Sequence, residues 1–80
     1  MTRFFFDFRA YGSLTRDEDG ADLSDAGEAH DEALGALVDA ISDVAMEGRA
    51  DQRFAIEVRD EYGPVLEIKA VLESKILRKQ

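Results

Sequence analysis

The stretch DAGEAHDEALGALVDAISDVAMEG, Asp25 to Gly48, decides the fold. At about 3.6 residues per turn, Ala26, His30, Ala33, Leu34, Leu37, Val38, Ile41, Val44 and Ala45 fall within one arc of roughly 140°. The opposite arc carries Glu28, Asp31, Glu32, Asp39, Ser42 and Asp43. This two-faced pattern predicts an amphipathic helix with its apolar arc turned to the core. His30 lies on that arc, so a partly buried structural histidine is expected. Asp25 and Glu28 have the spacing of a capping box, with Ser24 as the rival cap. Acids crowd the first two turns, where the positive end of the helix dipole favours them. Gly48, followed by Arg49, reads as the C-terminal stop.

The flanks read as strands and turns. Arg3 to Arg9 alternates, with Phe4, Phe6 and Phe8 on one face and Arg3, Phe5, Asp7 and Arg9 on the other. The three-Phe face is expected to meet the helix. Gly12 marks a turn, Leu14 to Arg16 a short second strand, and Asp17-Glu18-Asp19-Gly20 an acidic turn. Ala21 to Leu23 leads into the helix. Beyond it, Phe54, Ile56 and Val58 alternate with Ala55, Glu57 and Arg59. Asp60-Glu61-Tyr62-Gly63 then closes a hairpin into a strand starting at Pro64. In that strand Leu66, Ile68 and Ala70 face inward, with Val65, Glu67, Lys69 and Val71 outward. The order is β–β–α–β–β, an α+β fold with one amphipathic helix on one face of an antiparallel-rich sheet. Residues 1–71 form the domain. Residues 72–80 are a basic tail, with Lys75, Arg78 and Lys79, in which the spacing of Leu72 and Ile76 suits a short helix.

Eighty residues allow one domain, and a chain of this size buries only about 60–65% of its unfolded surface. With no cysteine there is no disulfide and no thiol chemistry. Self-association is the usual remedy for so small a core, which makes a homodimer the expected state. One helix leaves much of the sheet uncovered, so the second sheet face or a strand edge is the natural contact. No segment has the length of a membrane span or the form of a signal peptide, and a cytoplasmic protein with no membrane partner is expected.

The net charge of −8 lies wholly in residues 1–50, with 4 basic and 12 acidic side chains; residues 51–80 balance. That distribution argues against nucleic-acid binding and leaves room for a basic protein partner.

Several motifs together resemble a known family. They are Arg3-Phe4-Phe5-Phe6, the segment Arg16-Asp17-Glu18-Asp19-Gly20 with Leu23 and Asp25, Asp31-Glu32-Ala33, and the run from Ile56 through Asp60-Glu61-Tyr62-Gly63-Pro64 to Leu66. Their order and spacing over roughly Arg3 to Ile68 are similar to a domain of unknown function in small bacterial proteins, frequent in rhizobia and related alpha-proteobacteria. The resemblance implies a bacterial source and a shared fold, but no activity and no catalytic residues. His30 stands where the family leads one to expect a small apolar residue, and the tail is longer and more basic.

No enzyme signature is present. There is no Gly-x-Ser-x-Gly elbow and no glycine-rich phosphate loop. For His30 to act as a base, the fold would have to bring up a nucleophile such as Ser13 or Tyr11. No cofactor and no catalytic residue are expected. Asp17, Asp19 and Asp22 are weak candidates for divalent metal, because Asp17, Asp19 and Glu28 match three positions of a calcium loop whose glycine position is occupied by Asp22. The better interaction candidate is Phe5, an aromatic among Arg3, Arg9 and Arg59 on the outward face. The sequence thus favours a self-associating protein-interaction module. An acidic regulator, antitoxin-like by fold analogy and binding a basic partner, is the alternative, and a weak metal-binding domain a further one.

Overall fold

Alternation in the first strand sets the two faces of the whole sheet. In a computed structural model, which describes residues 1–10, 12–49 and 51–78, the strands are β1 (Thr2–Ala10), β2 (Ser13–Thr15), β3 (Ala21–Leu23), β4 (Gln52–Asp60) and β5 (Gly63–Leu72), with one helix, α1 (Ala26–Met46). All pairings are antiparallel. The sheet runs β2-β1-β4-β5, and β3 also pairs with β1. Phe6 lies opposite Val58, Phe8 opposite Ile56 and Ala10 opposite Phe54; Leu66, Ile68 and Ala70 continue those rows on β5. This face and α1 enclose the core, as the alternation predicted. The architecture is α+β with two layers.

Three details depart from the expected order. Ala21 to Leu23 is a strand rather than a lead-in, because β1 is longer than its pairing with β2. Phe8 to Ala10 pair with β2, and Thr2 to Phe4 take β3 as their neighbour on the same side. Residues 73–78 form neither helix nor strand, so the basic tail has no short helix there; Leu72 instead ends β5. Lys79 lies outside the described residues. Finally, Val65, expected outward, packs partly buried against the core. The register shifts at Val58 and Arg59, with Leu66 and Pro64 as their partners, so Val65 is the extra residue of a bulge.

The helix ends follow their local chemistry. Asp25 caps α1 by accepting the Glu28 N–H at 2.9 Å. The return bond of the capping box reaches one residue further back, from the Ser24 N–H to Glu28 Oε2 at 3.4 Å. At the other end Gly48, with φ +73°, makes a Schellman turn: its N–H bonds Ala45 O and the Arg49 N–H bonds Val44 O.

The helix is rotated from the orientation its pattern suggests. Its buried stripe is Ala29, Ala33, Leu37 and Val44. Ala29 and Ala33 are fully buried, whereas Leu34 and Val38 are 44% and 56% exposed. His30, expected to be partly buried, is exposed, with Nδ1 3.4 Å from Asp31 Oδ1. The sheet face presents Phe4, Phe6, Phe8 and Phe54, and the helix packs on it through Ala29 and Ala33 in its first half and Leu37, Ile41 and Val44 further along. One half of the apolar arc is therefore left in solvent.

Candidate functional site

Among the described residues, no second layer covers the sheet face away from α1. Its rows follow from the register: Phe5 with Arg59, Asp7 with Glu57 and Glu67, and Arg9 with Ala55 and Lys69. Charged side chains dominate, and one of them is buried. Asp7 is 5% exposed, the only charged residue buried among the described residues.

Asp7 is held by a clasp. Arg59 Nε donates to Asp7 Oδ2 at 2.9 Å, and the Asp17 N–H donates to Asp7 Oδ1 at 3.0 Å. Arg59 Nη2 donates to the Asp17 carbonyl at 2.9 Å, and the guanidinium lies 4.5 Å above the centre of the Phe5 ring. Asp17 in turn organises its own loop. Its Oδ1 accepts the Asp19 and Gly20 N–H groups, both at 3.1 Å, and its Oδ2 accepts the Phe6 N–H at 3.0 Å. This last bond fills the gap between β2 and β3, on the side of β1 away from β4. Arg3 fastens the far side, with Nη1 on the Asp19 carbonyl at 2.6 Å and Nη2 on Asp22 at 3.1 Å.

The electrostatics follow from these partners. Burial raises the Asp7 carboxyl pKa, but the Arg59 hydrogen bond, the Asp17 N–H and the charges of Arg59 and Arg16 outweigh it and hold the group below its ordinary value. Burial likewise works against Asp17, and the N–H groups of Gly20, Phe6 and Asp19 with the Arg59 charge prevail, so its pKa is also lowered.

Gly20 lets the loop close. It has φ +73°, and a Cβ there would sit 2.9 Å from the Phe4 carbonyl oxygen and 3.0 Å from atoms of Arg3 and Phe5. The side chains can shift, but the Phe4 backbone cannot. Gly20→Ala should therefore cost about 2 kcal/mol, from a left-handed conformation and a backbone clash together. A thermal melt should fall by on the order of 10 °C. A melt unchanged from wild type would mean that the loop does not depend on this close approach.

Phe5 and Arg59 meet in the clasp, and Arg3 holds the loop edge. Arg9 stands apart from them, with Nε 2.6 Å from Glu57. Asp17, Asp19 and Asp22 have no common centre: Asp17 accepts three backbone N–H groups and Asp22 pairs with Arg3. Among the described residues, no group of three or more His, Asp or Glu is placed to hold a metal ion. Tyr11, one of the nucleophiles considered for His30, lies outside the described residues. Beside Arg9, a shallow cleft of about 370 Å³ over Ala55 is flanked by Arg53 and Lys69. Arg9 and Lys69 already face Glu57 and Glu67 there.

The two sheet edges differ. On the β1 side, two three-residue strands and the Asp17 loop break up the edge. Short strands and irregular cover are how proteins blunt an edge. On the other side, β5 is a ten-residue strand with β4 on one flank only. Only Pro64, at its start, lacks a donor. The exposed half of the helix arc is on the same side. Ala36, Ala40 and Asp43 lie towards Phe6 and Phe8 of β1, so Leu34, Val38 and Ala45, across the buried stripe, lie towards β5. Neither feature stands out from the strand and helix patterns alone, because edge position is a property of topology.

A two-layer α+β domain with an open sheet face and one long free edge is the class these observations define. Residues 3–71 match the family described as a domain of unknown function, DUF6894, and the chain belongs to that family. No curated protein and no solved structure matches the chain. No helix among the described residues is long and apolar enough to cross a membrane.

Proposed function

We propose that this protein is a non-catalytic interaction module that works as a homodimer, joined along β5 and the adjoining flank of α1. One observation carries the reading: among the described residues, the one long strand edge left unpaired lies beside an apolar half-face of the helix left in solvent. Each alone is tolerable, but together they form one strip of backbone donors, acceptors and aliphatic side chains. The rest of the surface supports it. Phe5, Arg3 and Arg59 are engaged within the chain, and the blunted β1 edge offers little to pair with.

Light scattering over a dilution series tests this. Wild type should have twice the 8.9 kDa chain mass, falling only at low concentration. Val38 is exposed in the single chain, so Val38→Asp should change its intrinsic stability by no more than about 0.5 kcal/mol. The same substitution should drive the protein to monomer. A wild-type mass of one chain at every concentration would refute the reading.

A basic protein partner is the second reading. Glu28, Asp31, Glu32, Asp39 and Asp43 are exposed on a helix with no lysine or arginine. Such a partner would bind with strong salt dependence, and this face remains free in a β5-edge dimer.

A further inference from the structure

We infer that the dimer has one specified register, with two β5 strands antiparallel about a two-fold axis at Ile68 and Glu67 of each chain paired with the partner's Lys69. This rests on the self-association proposed above and adds how one copy recognises the other.

Three constraints select it. First, beyond the bulge at Val65 the side chains of β5 alternate, with Leu66, Ile68 and Ala70 on the helix side and Glu67 and Lys69 on the open side. Registers that keep apolar opposite apolar place one residue opposite itself on the axis. Second, among registers of this kind, those centred on Glu67, Ile68 and Lys69 differ in what they set against the two charges. The first sets Glu67 against the partner's Glu67, and the last sets Lys69 against the partner's Lys69. Only the Ile68 centre sets Glu67 against the partner's Lys69, and by symmetry does so twice, with Leu66 against the partner's Ala70. Charges on an edge strand ordinarily discourage pairing. Here one of each sign, two residues apart, disfavours the Glu67- and Lys69-centred registers and favours the Ile68 centre. Both are available: their side chains are 46% and 71% exposed, and their mutual contact within the chain is a loose 3.5 Å.

Third, the helices fit. α1 packs equally on β4 and β5. Strands lie about 4.8 Å apart, so continuing the sheet across β5 would bring the partner's helix axis to about 10 Å, within helix-packing range. Leu34 and Val38 lie on the flanks that would then meet. A two-fold contact of this kind closes on itself and gives a dimer rather than a fibre.

A charge-swap series measured by light scattering and native mass spectrometry tests the register. Glu67→Lys and Lys69→Glu each turn two attractive pairs into two repulsive ones, so each should raise the dimer dissociation constant about 10- to 100-fold. Glu67→Lys/Lys69→Glu together should restore it. An equimolar mixture of the two single variants should form the mixed dimer in preference to either homodimer, which also establishes that each folds. If wild type is a dimer and the swaps neither weaken nor rescue it, this register is wrong while self-association stands. If wild type is monomeric throughout, both fail.

Discussion

Asp7→Ala is expected to lower the melting temperature by about 10–20 °C, a loss of about 2–4 kcal/mol. The substitution removes the carboxylate that satisfies Arg59 Nε and the Asp17 N–H, and it leaves the guanidinium facing an empty site. Removing one member of a buried pair costs more than the pair contributes, because the survivor stays desolvated. Arg59 keeps 29% exposure and its bond to the Asp17 carbonyl, which holds the loss below that of a fully buried pair. Asp7→Asn, which can still accept the Asp17 N–H, should lose less. The pH profile separates charge from packing. A carboxyl with a lowered folded pKa contributes stability that is fully present above its ordinary value of 3.8 and is lost as pH falls through the folded value. Wild-type stability should therefore decline on acidification below that point, and Asp7→Asn should flatten the decline without abolishing it, because Asp17 titrates in the same sense. An Asp7→Ala melt within about 3 °C of wild type would show that the clasp is ornamental.

Phe54→Ala should be costlier still, about 3–5 kcal/mol. Phe54 is 3% exposed, with its ring 6.5 Å from that of Phe8. Its cross-strand neighbours are Ala10 and Ala70, so neither has a side chain able to swing into the space. The cavity should persist, placing the cost towards the upper part of that range. A domain of this size has on the order of 5 kcal/mol in hand, so the variant should lose most of its cooperative urea transition. Phe54→Leu should retain it. The comparison needs one fixed protein concentration, because dimerisation would add a concentration-dependent share to apparent stability. A variant unfolding at the wild-type urea midpoint would mean that the core closes over the gap.

Much of this architecture is local physics, and the sequence alone determines it. The helix between the Asp25 cap and the Gly48 stop follows from hydrogen-bonding chemistry within one turn of each end. The two faces of β1, β4 and β5 follow from alternation, and the turn at Gly63 from glycine's tolerance of positive φ. Family membership is legible in the same residues, since the motifs quoted from Arg3 to Leu66 fall within the matched stretch 3–71.

What only the tertiary structure decides concerns partners distant in the chain. Asp7 and Arg59 are 52 residues apart, and each reads as one more charge on an outward face until the β1–β4 register brings them together. The acidic loop resembles a metal loop locally, yet Asp17 spends its oxygens on the backbone because β1 has a gap to fill. The apolar arc of α1 defines a wide face, but only its packing against the sheet decides which half is buried, leaving His30, Leu34 and Val38 outward. The free edge has no signature in β5 itself. A strand becomes an edge only when topology leaves one side without a neighbour, and that side is where a second copy of this chain is expected to bind.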